Sequence, residues 1–131
     1  MQKLEGSGQT ILVVEDDVTL SRLVRKVLEE KGYRVLTAHD GIEAVNVYSR
    51  HKGEVALVFS DMVLPKLGGW TVFLKLREIS PTVRMVLASG YLDPRAKVEM
   101  VRAGARDFIA KPYEPDEMVK VIRAALQGGD R

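Results

Sequence analysis

Cysteine is absent from the 131 residues, which excludes disulfides, thiol nucleophiles and Cys-based metal sites. Histidine is scarce: His39 and His51 stand alone, without partners at ligand spacing, so any metal must be held by oxygen. No apolar run approaches the length a membrane-spanning helix needs, and the stretch from Met1 to Gly8 lacks the apolar core of a secretory signal. A surplus of one charge sign is missing too. Twenty Lys and Arg against eighteen Asp and Glu leave a net charge of +2, and the basic residues are scattered, so direct nucleic-acid binding has no electrostatic support. These absences lead to the expectation of a soluble, cytoplasmic chain with solvated charged faces and no membrane partner. Its length fits one domain able to bury its own core.

What is present is a succession of short apolar runs, each ending in a chemically useful residue. Val55-Ala56-Leu57-Val58-Phe59-Ser60 delivers Asp61, with Pro65 four residues on and then Gly68-Gly69. Ile11-Leu12-Val13-Val14 delivers Glu15-Asp16-Asp17, Met85-Val86-Leu87-Ala88 delivers Ser89, and Phe108-Ile109-Ala110 delivers Lys111-Pro112. Read as strands, these runs span Ile11 to Val14, Val55 to Ser60, Arg84 to Ala88 and Asp107 to Ala110, with a further strand from Arg34 to Ala38.

Helix-period segments alternate with the strands. Leu20, Leu23, Val24, Val27 and Leu28 form one apolar face, with Arg22, Arg25, Lys26 and Glu29 facing water, Asp17 as the N-cap and Gly32 as the stop. Further helices are expected from Ile42 to Ser49, from Trp70 to Ile79, from Asp93-Pro94 onward and from Pro115 to Leu126. Strand alternating with helix is the pattern of an α/β fold, a doubly wound parallel sheet covered on both faces. Trp70 and Phe73 read as packing residues of the third helix, and the two histidines as solvated loop or helix-end residues.

In the doubly wound order 2-1-3-4-5, ligands bind beyond the carboxyl ends of the strands, between strands one and three. Glu15, Asp16 and Asp61 meet there, and Ser89 and Lys111 close the same pocket from neighbouring strands about 4.8 Å apart. Two carboxylates about 4 Å apart repel by roughly 4 kcal/mol at an effective dielectric of 20, and Lys111 offsets only one charge. A hard divalent cation is the natural remedy. A few carboxylates, several waters and a phosphate make the ligand set of Mg²⁺ rather than of a calcium cage, and Mg²⁺ implies a phosphoryl substrate. Asp61 is then the candidate nucleophile, Ser89 a hydroxyl donor and Lys111 a counter-charge.

From Ile11 to Leu126 these residues resemble the receiver domain of two-component response regulators. That family's pattern is an acidic pair after strand one, an acceptor Asp with proline four residues on, Ser or Thr after strand four and Lys-Pro after strand five, met here by Glu15-Asp16, Asp61 with Pro65, Ser89-Gly90 and Lys111-Pro112. The resemblance implies a flavodoxin-like (βα)5 sandwich in which Asp61 takes a phosphoryl group from a phosphohistidine on a sensor histidine kinase or a histidine phosphotransfer protein. It implies Mg²⁺ held by Asp16, Asp61 and the backbone carbonyl of Val63, with Glu15 acting through water. It also implies a switch in which Ser89 moves toward the phosphoryl group, Phe108 follows inward, and the face of helix four, strand five and helix five is reshaped for a downstream protein. A cis Lys111-Pro112 bond, aiming the lysine inward, belongs to the same pattern. Val63 and Tyr91 fall at positions that tune hydrolysis in this family, and both exclude water, so slow dephosphorylation is expected.

The match is not complete. Lys66-Leu67-Gly68-Gly69 lacks the Asp that usually precedes the last glycine, which should affect loop geometry rather than chemistry. Ser89-Gly90-Tyr91 and the Gly- and Ser-containing leader resemble receivers attached to hybrid histidine kinases, so a free-standing and an excised receiver both fit. Residues 1–9 read as a flexible leader or linker, 10–127 as the receiver domain and 128–131 as a tail with no effector attached; a monomer or weak homodimer is expected. Such a domain is no conventional enzyme, although it assists its own phosphorylation and dephosphorylation.

Three other readings compete with this one. A haloacid dehalogenase-type phosphatase needs an Asp two residues after its nucleophile, where this chain has Val63. A flavodoxin-like carrier needs a phosphate loop where Glu15-Asp16-Asp17 would repel one. A phosphorylation-independent pseudo-receiver would be expected to have lost a site residue, and all are retained.

Overall fold

The computed structural model describes residues 8–127 and alternates five strands with five helices: β1 (Thr10–Val14), α1 (Val18–Glu30), β2 (Arg34–Ala38), α2 (Gly41–His51), β3 (Val55–Asp61), α3 (Gly69–Ile79), β4 (Met85–Ser89), α4 (Pro94–Arg102), β5 (Asp107–Ala110) and α5 (Pro115–Gln127). The five strands form one sheet in the order β2-β1-β3-β4-β5, every pairing parallel. Most of the expected leader and the whole of the expected tail lie outside the described residues. Gly8 and Gln9, at the leader's end, are already hydrogen-bonded to Gly32 and Arg34.

Period-two alternation divides the core between the faces of the sheet. Ile11, Val13, Leu57, Phe59, Val86, Ala88 and Ile109 pack under α1 and α5, whereas Leu12, Val14, Val58, Met85 and Leu87 pack under α2 and α3. The central strands therefore bury both faces, each large apolar side chain contributing about 1.5–3 kcal/mol. Trp70 and Phe73 stack with ring centroids 5.0 Å apart on the second face, as packing residues.

Several details differ from the sequence reading: β1 starts one residue earlier, at Thr10, β3 and β4 each run one residue further, to Asp61 and Ser89, and α2 extends from Gly41 to His51. Leu23, assigned to the buried stripe of α1, is 51% exposed, while Ser21 is buried; five apolar residues make a stripe wider than the sheet face accepts, and a small side chain fits where helix and sheet approach closely. The fourth strand begins at Met85 rather than Arg84, a one-residue difference at an end where the Arg84 carbonyl still accepts from the Val58 amide and its guanidinium donates to the Leu126 carbonyl.

Strand register delivers the polar ends to one place. Val14 pairs with Ser60, Asp61 with Ala88 and Ser89 with Ala110, so Glu15, Asp61, Ser89 and Lys111 all emerge at the carboxyl edge. Asp17 caps α1 through a 3.1 Å bond from the Leu20 amide.

Candidate functional site

Asp61 is the centre of this edge. It shares a sheet face with Phe59 and is only 8% exposed. The Lys111 ammonium donates to its Oδ2 at 2.8 Å, and the Val63 amide lies 3.4 Å from Oδ1, which leaves Oδ1 the less engaged oxygen. Carboxylate oxygens of Glu15, Asp16 and Asp61 lie within 4.8 Å of one another. At that spacing each charge pair repels by about 3.5 kcal/mol at an effective dielectric of 20.

The titration shifts reflect this crowding. Burial pushes the Glu15 carboxyl above its ordinary value; a hydrogen bond from the Asp17 amide opposes the rise and the charge of Asp61 adds to it. The hydrogen bond to Asp61 raises Lys111, with desolvation working against it. Tyr113 is pushed up to about 12, first by burial and then by the negative charges of Glu15 and Asp61. An oxygen-only cluster, buried at Glu15 and Asp61 and open to solvent at Asp16, and one divalent cation short of neutrality, fits a hard divalent ion with those three residues as its donors.

The loop after Asp61 is tightly built. Gly69, the first residue of α3, has no room for a side chain: a Cβ there would stand 2.4 Å from the Asp61 carbonyl oxygen. The helix start thus presses on the backbone of Asp61, and the Gly69 amide donates to the Met62 carbonyl at 2.8 Å. Leu67 N–H donates to the Pro65 carbonyl at 2.8 Å across Lys66, whose φ is 71°. This is the rare γ-turn with a positive central φ, a strained conformation for lysine.

The remaining sequence candidates are distributed around this centre. Ser89 lies at the same edge, but its hydroxyl donates to the Tyr91 carbonyl at 2.7 Å and not to Asp61. Val63 and Tyr91 are 78% and 80% exposed, forming an apolar rim. Phe108 is half-buried against the α2–α3 face with the Lys97 ammonium 5.8 Å above its ring. The Lys111–Pro112 bond is cis.

The sequence reading missed two residues. Tyr113 packs edge-on to Phe59 at 5.7 Å and walls the site on the side of α1. His39, expected in solvent, is half-buried, and its Nδ1 lies 3.0 Å from the Glu15 carbonyl oxygen. The clue available for Tyr113 was its position two residues beyond Lys111; nothing marked His39. His51 conforms to expectation, pairing with Glu54 at the end of α2.

A parallel five-stranded sheet with an acid cluster at its topological switch point and a lysine on the central carboxylate defines a class of phosphoryl-accepting signalling module. The family model for the response regulator receiver domain matches residues 11–123, and the chain belongs to that family. It is 28% identical to the chemotaxis protein CheY of Bacillus subtilis over 117 residues, 88% of this chain and 96% of that protein. It is 34% identical to the transcriptional regulatory protein YkoG of the same organism, over 89% of this chain and 50% of that protein. The receiver domain of a sensor histidine kinase from Pseudomonas aeruginosa, solved with magnesium coordinated in its active-site cleft, superposes with a TM-score of 0.80 at 26% identity, covering 92% of this chain and 99% of that one. The chain spans about half the length of several curated transcriptional regulators it matches. No helix among the described residues is long and apolar enough to cross a membrane.

Proposed function

We propose that Asp61 accepts a phosphoryl group from a phosphohistidine of a sensor histidine kinase or a histidine phosphotransfer protein. The observation that carries this reading is the 2.8 Å bond from Lys111 to the buried Asp61 carboxylate inside a cluster of three acids. A carboxylate oxygen of Asp61 attacks phosphorus in line, the phosphorus–nitrogen bond to the donor imidazole breaks, and the imidazole leaves with the bonding pair and takes up a proton. Lys111 meets the charge that accumulates on the phosphoryl oxygens.

Glu15, Asp16, Asp61 and the Val63 carbonyl would hold Mg²⁺, which would supply the charge neutralisation the acids lack. Ser89 releases the Tyr91 carbonyl and turns its hydroxyl to the phosphoryl group. Phe108 moves with it, and the face of α4, β5 and α5 changes for a downstream protein. Val63 and Tyr91 shield the acyl phosphate from water, so that Tyr91→Ala should lose phosphate faster than wild type. The module spans residues 10–127, acts in the cytoplasm as a monomer or weak homodimer, and catalyses nothing beyond its own phosphorylation and dephosphorylation.

The test is intact mass after incubation with acetyl phosphate, with and without Mg²⁺, beside an Asp61→Asn control. A single Mg²⁺-dependent phosphoryl adduct lost in the control is expected. If no adduct forms and beryllofluoride with Mg²⁺ also fails to bind, the chain is a phosphorylation-independent interaction module.

A further inference from the structure

We propose that the start of α2, through His39, Asp40 and Glu43, is a brace that sets the separation of the loop carrying Glu15 and Asp16 from the loop that follows Asp61, making His39 and Glu43 positioning residues for phosphoryl transfer. This inference rests on the reading of Asp61 as a Mg²⁺-dependent acceptor.

On one side the brace holds the loop after β1. The Glu15 amide donates to the Ala38 carbonyl at 3.0 Å, and the Glu15 carbonyl faces His39 Nδ1 at 3.0 Å. A carbonyl only accepts, so Nδ1 carries the proton. Both backbone polar groups of Glu15 are therefore tied to the end of β2, and the plane of the Glu15–Asp16 peptide, which aims the Asp16 side chain, is fixed.

His39 is itself held. Its amide donates to Glu43 Oε1 at 2.6 Å, while the Glu43 amide donates to Asp40 Oδ1 at 2.8 Å. An ordinary capping box returns the glutamate to the N-cap's own amide; here it reaches one residue further back and secures the residue that grips Glu15. The hydrogen bond from the Glu43 amide also holds the Asp40 carboxyl below its usual value, with the Lys66 charge adding to this.

On the other side the same helix start meets the loop after β3. Lys66 Nζ lies 3.5 Å from Asp40 Oδ2, and the Gly41 amide donates to the Pro65 carbonyl at 3.2 Å. A Cβ at Gly41 would stand 2.2 Å from the Leu67 carbonyl oxygen, so the loop lies directly on the helix. The strained turn at Lys66 is of the kind that persists only where its surroundings over-determine it. One helix terminus thus contacts both the loop that carries Glu15 and Asp16 and the loop that follows Asp61, without touching a carboxylate of the site.

The experiment is Mg²⁺ titration by calorimetry on the full chain, with thermal melts alongside, for wild type, His39→Ala, His39→Asn, Glu43→Ala and Glu43→Gln. Asparagine presents a side-chain N–H where Nδ1–H stands, and glutamine keeps the acceptor for the His39 amide. His39→Ala and Glu43→Ala should raise the Mg²⁺ Kd about tenfold, the low end of the range for outer partners of metal ligands, and the conservative variants should restore it to within about threefold. A cap that serves only stability would lower the melting temperature of Glu43→Ala and leave the Kd of both alanine variants unmoved, which overturns the brace. Asparagine binding as weakly as alanine overturns the donor role of His39. Should His39→Ala fail to fold, Glu43→Ala against Glu43→Gln decides by the same criterion. Wild type without saturable Mg²⁺ binding overturns the functional reading and the brace together, whereas wild-type binding with unmoved alanine variants overturns the brace alone.

Discussion

Replacing Gly68 with aspartate should stabilise the protein. Gly68 is the N-cap of α3 and, having no side chain, leaves the first-turn amides without a side-chain acceptor. Its φ of −66° and ψ of 161° are open to any residue, and an added Cβ meets only the Met62 carbonyl oxygen, at an ordinary 3.7 Å. Three contributions act in the same direction. The carboxylate caps a first-turn amide, worth a few tenths of a kcal/mol over glycine. Its charge opposes the helix dipole in a first turn that holds no acid, worth about 0.3–1 kcal/mol. Loss of glycine freedom in the unfolded chain adds about 0.4–1 kcal/mol. The cap and dipole contributions overlap, and the Asp61 cluster opposes a new negative charge, so a net gain of about 1 kcal/mol is expected, or a Tm rise of about 3–5 °C for a chain of this size. Urea denaturation of wild type, Gly68→Asp and Gly68→Ala measures it. The alanine variant shares the unfolded-state effect but caps worse than glycine, so aspartate should exceed it by about 1 kcal/mol, while Mg²⁺ affinity stays near wild type. An aspartate variant no more stable than the alanine variant would refute the capping argument.

Two further outcomes follow from the charges of the site. Glu15 has its folded pKa raised, so the fold favours the protonated form; its stabilising effect is complete below the unfolded pKa, and at neutral pH the ionised group is a liability. Glu15→Gln should therefore melt higher than wild type without Mg²⁺ and bind Mg²⁺ more weakly, and a lower melting temperature in calorimetry would count against the burial argument. At the alkaline end Tyr113, pushed up to about 12, and Lys111, also raised, both keep protons that the unfolded chain gives up sooner. Stability should fall as pH rises through about 10 to 12, by up to about 1.4 kcal/mol per unit for the tyrosine. Tyr113→Phe should flatten that slope in denaturation curves taken from pH 9 upward, and an unchanged slope would remove Tyr113 as a contributor.

Strands and their chemical endings were legible because a buried apolar run that stops at an acid, a hydroxyl or an amine has few other readings. Asp61, Glu15, Asp16 and Lys111 were found that way, and strand register brings them together at one edge. Backbone partners leave no such mark. His39 reads as a loop histidine because the group it meets is the carbonyl of Glu15, which every residue type carries. Tyr113 escaped notice because its importance comes from packing on Phe59 and on the flank of α1, elements far from it in sequence. The rotamer of Ser89 depends on a carbonyl two residues away and is likewise invisible in composition or periodicity.

None of the nine residues of α4 is fully buried. Apart from the Lys97 ammonium over the Phe108 ring, the tertiary holds on this segment gather at its C-terminal end, where the Arg77 guanidinium of α3 bonds the Ala103 carbonyl and Phe73 lies against Gly104. Mechanically it is a lever pinned at one end, whose free end at Pro94 adjoins the Ser89–Tyr91 segment. Displacement of such a lever grows with distance from the pin, so a small rotation there would translate the Asp93–Arg95 turn. With little apolar contact to break, the amides of α4 should exchange with solvent through openings of lower free energy than those of α1 or α5.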